Sequence, residues 1–400
     1  MRRDVLQTNR ASRVIVGAVL TALLALTLPQ SHAQSTAGPI PTDPSLKVAF
    51  IGDSGNGADF RRVLELIKSE GARIVLHQGD FDYAENARGF FGTIDSILGP
   101  DFPYFASVGN HDTNSWRERC WDRNGCYAKF LKARMARLGV RPDDPDLDDQ
   151  MYSVTYRGLR LVFVGEGGVR AGDKVYAPYI QRQLATDDHI WKICSWHKNQ
   201  QAMQVGEKDD EMGWRVYEAC KDVGAIIATA HEHSYQRTRT LTSMKDLAVD
   251  TSCADPNALC IATGSPGRSF AFVSGLGGHS VRDQTRCLPT TFPYGCKGAW
   301  AKIYTATQGA TFGALFITFN IDGDPRKAQG YFKNINGEII DTFEIRADAF
   351  SSLTAARRPS AALLLSQAKL HRDQHSRQDW LSLRGSAGVF VGGGRPGAFL

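Results

Sequence analysis

Five short blocks of this chain carry side chains able to hold metal ions: Gly52-Asp53-Ser54-Gly55, Gly79-Asp80-Phe81-Asp82-Tyr83, Gly109-Asn110-His111-Asp112, Trp196-His197 and His231-Glu232-His233. Each supplies hard oxygen or imidazole nitrogen donors, and five in order spell a complete two-metal site. Two cations held ~4 Å apart need one ligand that touches both, because a shared carboxylate offsets the repulsion between them. Asp80 is the expected bridge. Asp53 completes the charge of one metal, Asn110 gives the other a neutral amide oxygen, and His197, His231 and His233 supply nitrogens. If the backbone is extended at His231-x-His233, both rings point to one side and reach adjacent metals. Tyr83 discriminates among metals. A phenol has a pKa of about 10, so at neutral pH it coordinates as phenolate only to a strongly Lewis-acidic ion, of which Fe(III) is the obvious biological case.

Positioning these residues requires strands, because each block follows an apolar run. Leu46 to Ile51 reads as a strand ending at Gly52-Asp53, and Asp59 to Glu70 follows with Phe60, Val63, Leu64 and Ile67 at helical spacing. Arg73 to His77 leads into Gly79-Asp80, and Tyr104 to Val108 into Gly109-Asn110. The alternation indicates a mainly parallel sheet with covering helices, in which ligands collect at the carboxyl ends of strands. Asn114 to Gln150, rich in Arg, Asp and Lys, reads as a helical insertion. Tyr152 to Tyr156 and Leu159 to Val164 read as a hairpin, Ile190 to Trp196 and Ala225 to Thr229 as strands, and Trp214 to Asp222 as a helix. Later strands are expected at Leu259 to Thr263, Gly313 to Ile321, Ala328 to Lys333 and Asp341 to Ile345, with Ser265 to Lys297 a long Gly-rich, Cys-bearing loop.

These blocks resemble the calcineurin-like metallophosphoesterases and, within them, the purple acid phosphatases, whose pattern runs Asp-x-Gly, Gly-Asp-x-x-Tyr, Gly-Asn-His-Asp/Glu, Val-x-x-His and Gly-His-x-His. Most metallophosphoesterases have Asp-x-His in the first block; here Gly55 stands at the histidine position and Tyr83 is present, the joint mark of the purple branch. The resemblance covers about residues 46 to 345. It implies an α/β fold, a four-layered α/β sandwich of two facing mixed β-sheets flanked by helices. It also implies that Asp53, Asp80, Tyr83 and His233 hold Fe(III), while Asp80, Asn110, His197 and His231 hold a divalent ion, Zn, Fe or Mn. His111 is implied to lie beside the metals as the catalytic residue, bonding the substrate phosphate and helping protonate the leaving oxygen.

Three departures stand out. Ala230 replaces the usual glycine before His231, Ile193-Cys194 precede Ser195-Trp196 where a Val-x-x-His block is expected, and no second histidine follows shortly after His197; Lys198, Gln200 or Gln201 are the substitutes for it. The amino-terminal β-domain of the large plant-type members is absent, so the chain resembles the compact forms. The function expected is phosphomonoester hydrolysis of the acid phosphatase type, by in-line attack of a metal-bound hydroxide on a phosphate ester. A phosphodiesterase or nucleotidase with a Mn/Zn pair is the alternative, and a non-catalytic secreted binding protein a third reading. His279, in Gly277-Gly278-His279, could contribute to the site from a Gly-rich loop near a strand end but reads first as a surface-loop histidine, Asp82, Asp112 and Glu232 as acids behind the ligands or in solvent, and Trp116, Trp121 and Tyr176 as packing residues or a cleft lining.

The chain has 400 residues, 42% hydrophobic and 22% charged, enough for a sizeable core. Arg2, Arg3, Arg10 and Arg13 precede an apolar stretch from Val14 to Leu28, and Ser31-His32-Ala33 offers a cleavage site, so residues 1–33 are expected to be a signal peptide, with export to the periplasm or beyond. Residues 34–45 then form a linker, 46–350 the catalytic domain, and 351–400 a low-complexity tail expected to be disordered. No later segment is apolar enough to span a bilayer. The net charge of +5 is concentrated in the leader and tail, leaving a mildly acidic centre that gives nucleic-acid binding no support. Eight cysteines fit export, and their spacing makes sequential bridging the simplest scheme: Cys120 to Cys126, Cys194 to Cys220, Cys253 to Cys260 and Cys287 to Cys296.

Overall fold

The computed structural model describes residues 38–348 apart from 119, 144–149 and 167. The expected leader and the tail after 350 lie outside the described residues, as does part of the expected insertion. Two seven-stranded sheets dominate. The first begins with β1 (Leu46–Ile51), β2 (Ile74–His77) and β3 (Tyr104–Ala106), all parallel, joined by helices α1 (Ala58–Ser69) and α2 (Ala87–Ile97). Helix α1 buries Phe60, Val63, Leu64 and Ile67, and Phe60 stacks on Phe90 of α2 at 5.1 Å, so the two helices share one apolar layer on this sheet. Asn86 caps α2, its side-chain oxygen accepting the Gly89 N–H at 3.0 Å. The expected insertion contains the short α3 (Thr113–Trp116) and α4 (Tyr127–Arg137).

The second sheet starts with the expected hairpin, β4 (Tyr152–Tyr156) antiparallel to β5 (Leu159–Phe163). After α5 (Val169–Ala171) and α6 (Ala177–Leu184) it continues through β6 (Trp191–Ser195), α7 (Trp214–Asp222), β7 (Ile226–Thr229) and β8 (Tyr235–Thr238). A small β9–β10 hairpin (Leu241–Ser243, Ala248–Val249) follows, then β11 (Ala258–Ile261), β12 (Ala271–Ser274) and β13 (Trp300–Tyr304). Three long antiparallel strands, β14 (Gly313–Ile321), β15 (Asp324–Asn334) and β16 (Ile339–Ala347), return to the first sheet. The orders are β11-β16-β15-β14-β1-β2-β3 and β13-β8-β12-β7-β6-β5-β4.

The sheets meet face to face through aromatic contacts: Phe50 with Phe272 at 5.1 Å, Trp191 with Phe319 at 5.0 Å, Tyr235 with Phe332 at 4.3 Å and Phe105 with Tyr156 at 5.4 Å. Helices α6 and α7 cover the second sheet's other face with Ile180, Leu184, Val216 and Tyr217, completing the four layers. All four disulfides follow the sequential scheme, and Cys194–Cys220 pins α7 to β6.

The two facing mixed sheets are those the resemblance implies; the mainly parallel sheet indicated by the alternation alone holds only for part of each, since β14 to β16 are antiparallel. One further expectation changes. The stretch from Ser265 to Lys297 is not all loop: Ala271–Ser274 is a buried strand parallel to β7 and antiparallel to β8. Four residues between Gly- and Ser-rich flanks are too short a run to announce themselves by composition.

A buried ion pair also ties the sheets together. Asp341 of β16 accepts from Arg237 of β8 at Nε (2.7 Å) and Nη2 (3.0 Å) and from the Tyr235 hydroxyl (2.8 Å), and Arg237 has no solvent exposure. Removing the carboxylate leaves a buried, unpaired guanidinium. Asp341→Ala is therefore predicted to cost about 3–5 kcal/mol of stability, measured by urea unfolding; a loss under 1 kcal/mol would mean the site admits water freely.

Candidate metal centre

Six parallel strand ends, three from each sheet, converge on one place. Strands β1, β2 and β3 run into Asp53, Asp80 and Asn110, β6 and β7 run into His197 and His231, and β12 leads to His279. The loops approach closely because their glycines permit it. A Cβ on Gly109 would overlap the backbone and carboxylate of Asp80, and one on Gly52 would overlap the Cβ of Ala230. Ala230 is thus tolerated where the family has glycine because its opposite neighbour is glycine. Asp53, Asp80, Tyr83 and His231 all have positive φ, between 53° and 70°. Strained backbone gathered at side chains that face one another marks a site built for a purpose other than stability. The left-handed His231 also corrects the extended geometry expected at His231-x-His233.

The side chains form two adjoining groups. In the first, Asp53 Oδ1 lies 3.1 Å from the Tyr83 hydroxyl and 3.2 Å from His233 Nε2, which is itself 3.3 Å from that hydroxyl. In the second, Asp80 Oδ2 lies 3.2 Å from His197 Nε2, which is 3.0 Å from His231 Nδ1. Asp80, His197 and His231 present donor atoms within 4.8 Å of one another. Asn110 Oδ1 is buried with no hydrogen-bond partner. An orphaned amide oxygen on the residue after Gly109, which packs against Asp80, fits a metal ion as its missing partner.

Electrostatics point the same way. Burial opposes ionisation of Asp53 and Asp80, yet His233 and His197 around Asp53, and His197 with the His111 N–H around Asp80, hold both below the usual carboxylate range. Burial also opposes charging of His197, but Asp80 and Asp53 pull it up to about 9. Burial, then Asp53 and Asp80, push the Tyr83 hydroxyl far above the ordinary phenol range, so in the protein alone it stays protonated. Only a cation could make it a phenolate there.

A second layer fixes these groups. The His197 Nδ1–H donates to the Gln78 carbonyl at 2.7 Å, turning Nε2 toward Asp80. Asp112 accepts three backbone N–H bonds, from Asp80, Phe81 and Gly109 at 2.7–2.9 Å, which lock the β2 and β3 loops together. Asp82 accepts the Asn86 N–H at 2.9 Å and so ties the Tyr83 turn to the start of α2. His231 donates Nε2–H to Glu211 Oε2 at 2.8 Å, leaving Nδ1 as the free lone pair facing inward. Ser280 Oγ bonds His233 Nδ1.

Comparison with known proteins shows what this arrangement belongs to. Residues 46–235, which contain all five blocks, match the family described as calcineurin-like phosphoesterase. This segment is a calcineurin-like phosphoesterase domain. No curated protein matches the chain in sequence. Among solved structures it is similar to a purple acid phosphatase from yellow lupin (Lupinus luteus) seeds, with a TM-score of 0.56 and 20% identity, covering 78% of this chain and 56% of that one. The phosphoesterase therefore spans little more than half of the lupin protein. PhoD (TM-score 0.48, 11% identity, 78% of this chain and 71% of that one) and GAP50, the anchor in the inner membrane complex of Plasmodium (0.47, 11%, 77% and 91%), are more distant. The family match and the donor set are those expected of a metal-dependent phosphoesterase segment.

Asp53, Asp80, Tyr83, His197, His231 and His233 come together in these two groups, Asn110 follows Gly109, whose backbone packs on Asp80, and His111 is exposed beside them, its backbone N–H on Asp80 Oδ1 at 2.9 Å. Two of the three substitutes named for a second histidine are engaged elsewhere. Lys198 is held by Glu166 and Glu211, and Gln200 caps the Met212 and Gly213 N–H groups at 2.8 Å. Trp116 and Tyr176 are buried, and Trp121 is 89% exposed. Glu211, which belongs to no motif, carries no signal in the sequence. His279, weighed there as a loop residue near a strand end, does reach the site: its ring lies 3.6 Å from that of Tyr83, nearly parallel at 17°.

Outer carboxylates of this kind commonly set metal affinity by ten- to a hundredfold. Glu211→Gln is predicted to weaken retention of one of two metals by about that factor, read as metal content after competition with a chelator. Unchanged retention of both would reduce Glu211 to a packing residue.

Proposed function

We propose that this phosphoesterase is an exported phosphomonoesterase of the purple acid type, with Asp53, Asp80, Tyr83 and His233 holding Fe(III) and Asp80, Asn110, His197 and His231 holding a divalent ion, Zn, Fe or Mn. The observation that carries the reading is the Tyr83 hydroxyl, set between Asp53 Oδ1 and His233 Nε2 with Gly55 leaving room nearby. Four disulfides support an oxidising compartment, and among the described residues no helix is long and apolar enough to cross a membrane.

Cations bound there supply Lewis acidity, offsetting the charge on a phosphate ester and lowering the pKa of water. The chain's own residues do the rest. Asp80 commits Oδ1 to the His111 N–H, so its other oxygen faces the histidines. The His111 ring, exposed at the rim, donates to a phosphoryl oxygen and delivers a proton to the departing alcohol oxygen. In this way P–O cleavage releases a neutral alcohol rather than an alkoxide.

Tyr83→Phe is predicted to abolish visible absorption of the iron-loaded protein while some hydrolysis persists. A colourless wild-type protein holding two zinc or manganese ions would overturn the iron assignment and favour a phosphodiesterase or nucleotidase. His111→Ala is predicted to lower kcat by roughly a hundredfold or more with both metals retained; loss of a metal would instead make His111 a ligand.

A further inference from the structure

His279 is placed with more care than a surface residue needs. Its backbone N–H donates to the Asp53 carbonyl at 3.1 Å, and the next residue, Ser280, bonds His233 Nδ1. Its ring lies over Gly55, where an added Cβ would touch ring carbon Cδ2 at 3.7 Å. The same ring stacks on one neighbour, Tyr83, while His111 lies against Tyr83 too, 4.6 Å away and tilted by 43°. Both imidazoles are exposed, and among the described residues neither ring makes a hydrogen bond, although both are anchored through their backbone to a buried carboxylate residue.

We propose that His279 is a second substrate-contacting histidine, donating a ring N–H to an oxygen of the bound phosphoryl group while His111 contacts another. The proposal rests on the phosphoesterase site described above, but not on the identity of its metals. A phosphoryl group has more oxygens than two metals engage, and the remaining ones need donors. Lys198, the nearest cation in sequence, is already paired with Glu166 and Glu211. The two imidazoles are pre-positioned, unbonded donors at the rim, both in contact with the Tyr83 ring. The chemistry is recognition of a terminal phosphate, whatever alcohol it carries.

Two variants separate contact from packing. His279→Phe keeps a ring against Tyr83 and removes both nitrogens; His279→Ala removes both properties. Inorganic phosphate is titrated calorimetrically into metal-loaded wild-type and variant proteins, with metal content and visible spectrum recorded on the same samples. The expected result is phosphate binding weakened about tenfold or more in both variants, with two metals and an unchanged spectrum in His279→Phe, and KM rising more than kcat falls. Phosphate affinity unchanged in His279→Phe would overturn the proposal, leaving His279 a support for Tyr83, and so would a two-metal wild-type protein that binds no phosphate. A protein loaded with zinc or manganese and lacking colour would sink the iron reading alone, because the phosphate titration still reports on His279.

Discussion

Two carboxylates, Asp53 and Asp80, are buried at the seam of the two sheets with exposures of 0% and 1%. Among the described residues no lysine or arginine pairs with either; their ion-pair partners are His197 and His233. Like charges in such surroundings are costly unless every lone pair is met. Much of the local architecture answers that constraint. One oxygen of each takes a backbone N–H, Asp53 Oδ2 from His231 and Asp80 Oδ1 from His111. The other oxygen of each turns toward the histidines and toward the space a cation would fill. The left-handed backbone at Asp53, Asp80, Tyr83 and His231 is the conformational cost of aiming so many polar groups inward at once.

This explains why two sheets are required. One parallel sheet delivers donor groups along a single edge, from Asp53, Asp80 and Asn110, all oxygens. The facing sheet brings the imidazoles of His197, His231 and His233 from the opposite side. Aromatic contacts such as Phe50 with Phe272, on strands that both end at the site, set the distance between the two edges. Core packing and ligand geometry are thus one problem: a change in inter-sheet spacing moves oxygens relative to nitrogens.

What could be read from sequence follows the same division. The blocks whose donor side chains come together were legible because each couples a distinctive residue type to the end of an apolar run, as in Gly79-Asp80 after β2. Most of the parallel part of each sheet was legible for the same reason. The antiparallel β14 was found whole and β15 and β16 in part, whereas β8, β12 and β13 were not found, because short strands whose partners lie far along the chain leave no local signal. His279 read first as a surface-loop residue because β12 was not found, and Glu211 was hidden by lying in a loop between β6 and α7 with no periodicity around it. Residues that bind directly announce themselves by type; residues that hold others do so only by position in space.

The Glu166–Lys198–Glu211 cluster shows how far that second kind of constraint reaches. His231 has burial pushing it down to about 4, so it is neutral, and its single N–H must go either to the centre or away from it. Glu211, ionised down to about 2 against burial because of His231 and Lys198, draws that hydrogen outward and leaves the Nδ1 lone pair facing His197 and Asp80. The same carboxylate adds a further negative charge beside an already anionic centre. Lys198 offsets it, contacting Glu211 at 3.3 Å as well as Glu166. A lysine directly after His197 therefore looks in sequence like a substrate contact, but its charge is consumed in holding the tautomer of His231. Recognition at the rim is left to groups that carry no such obligation.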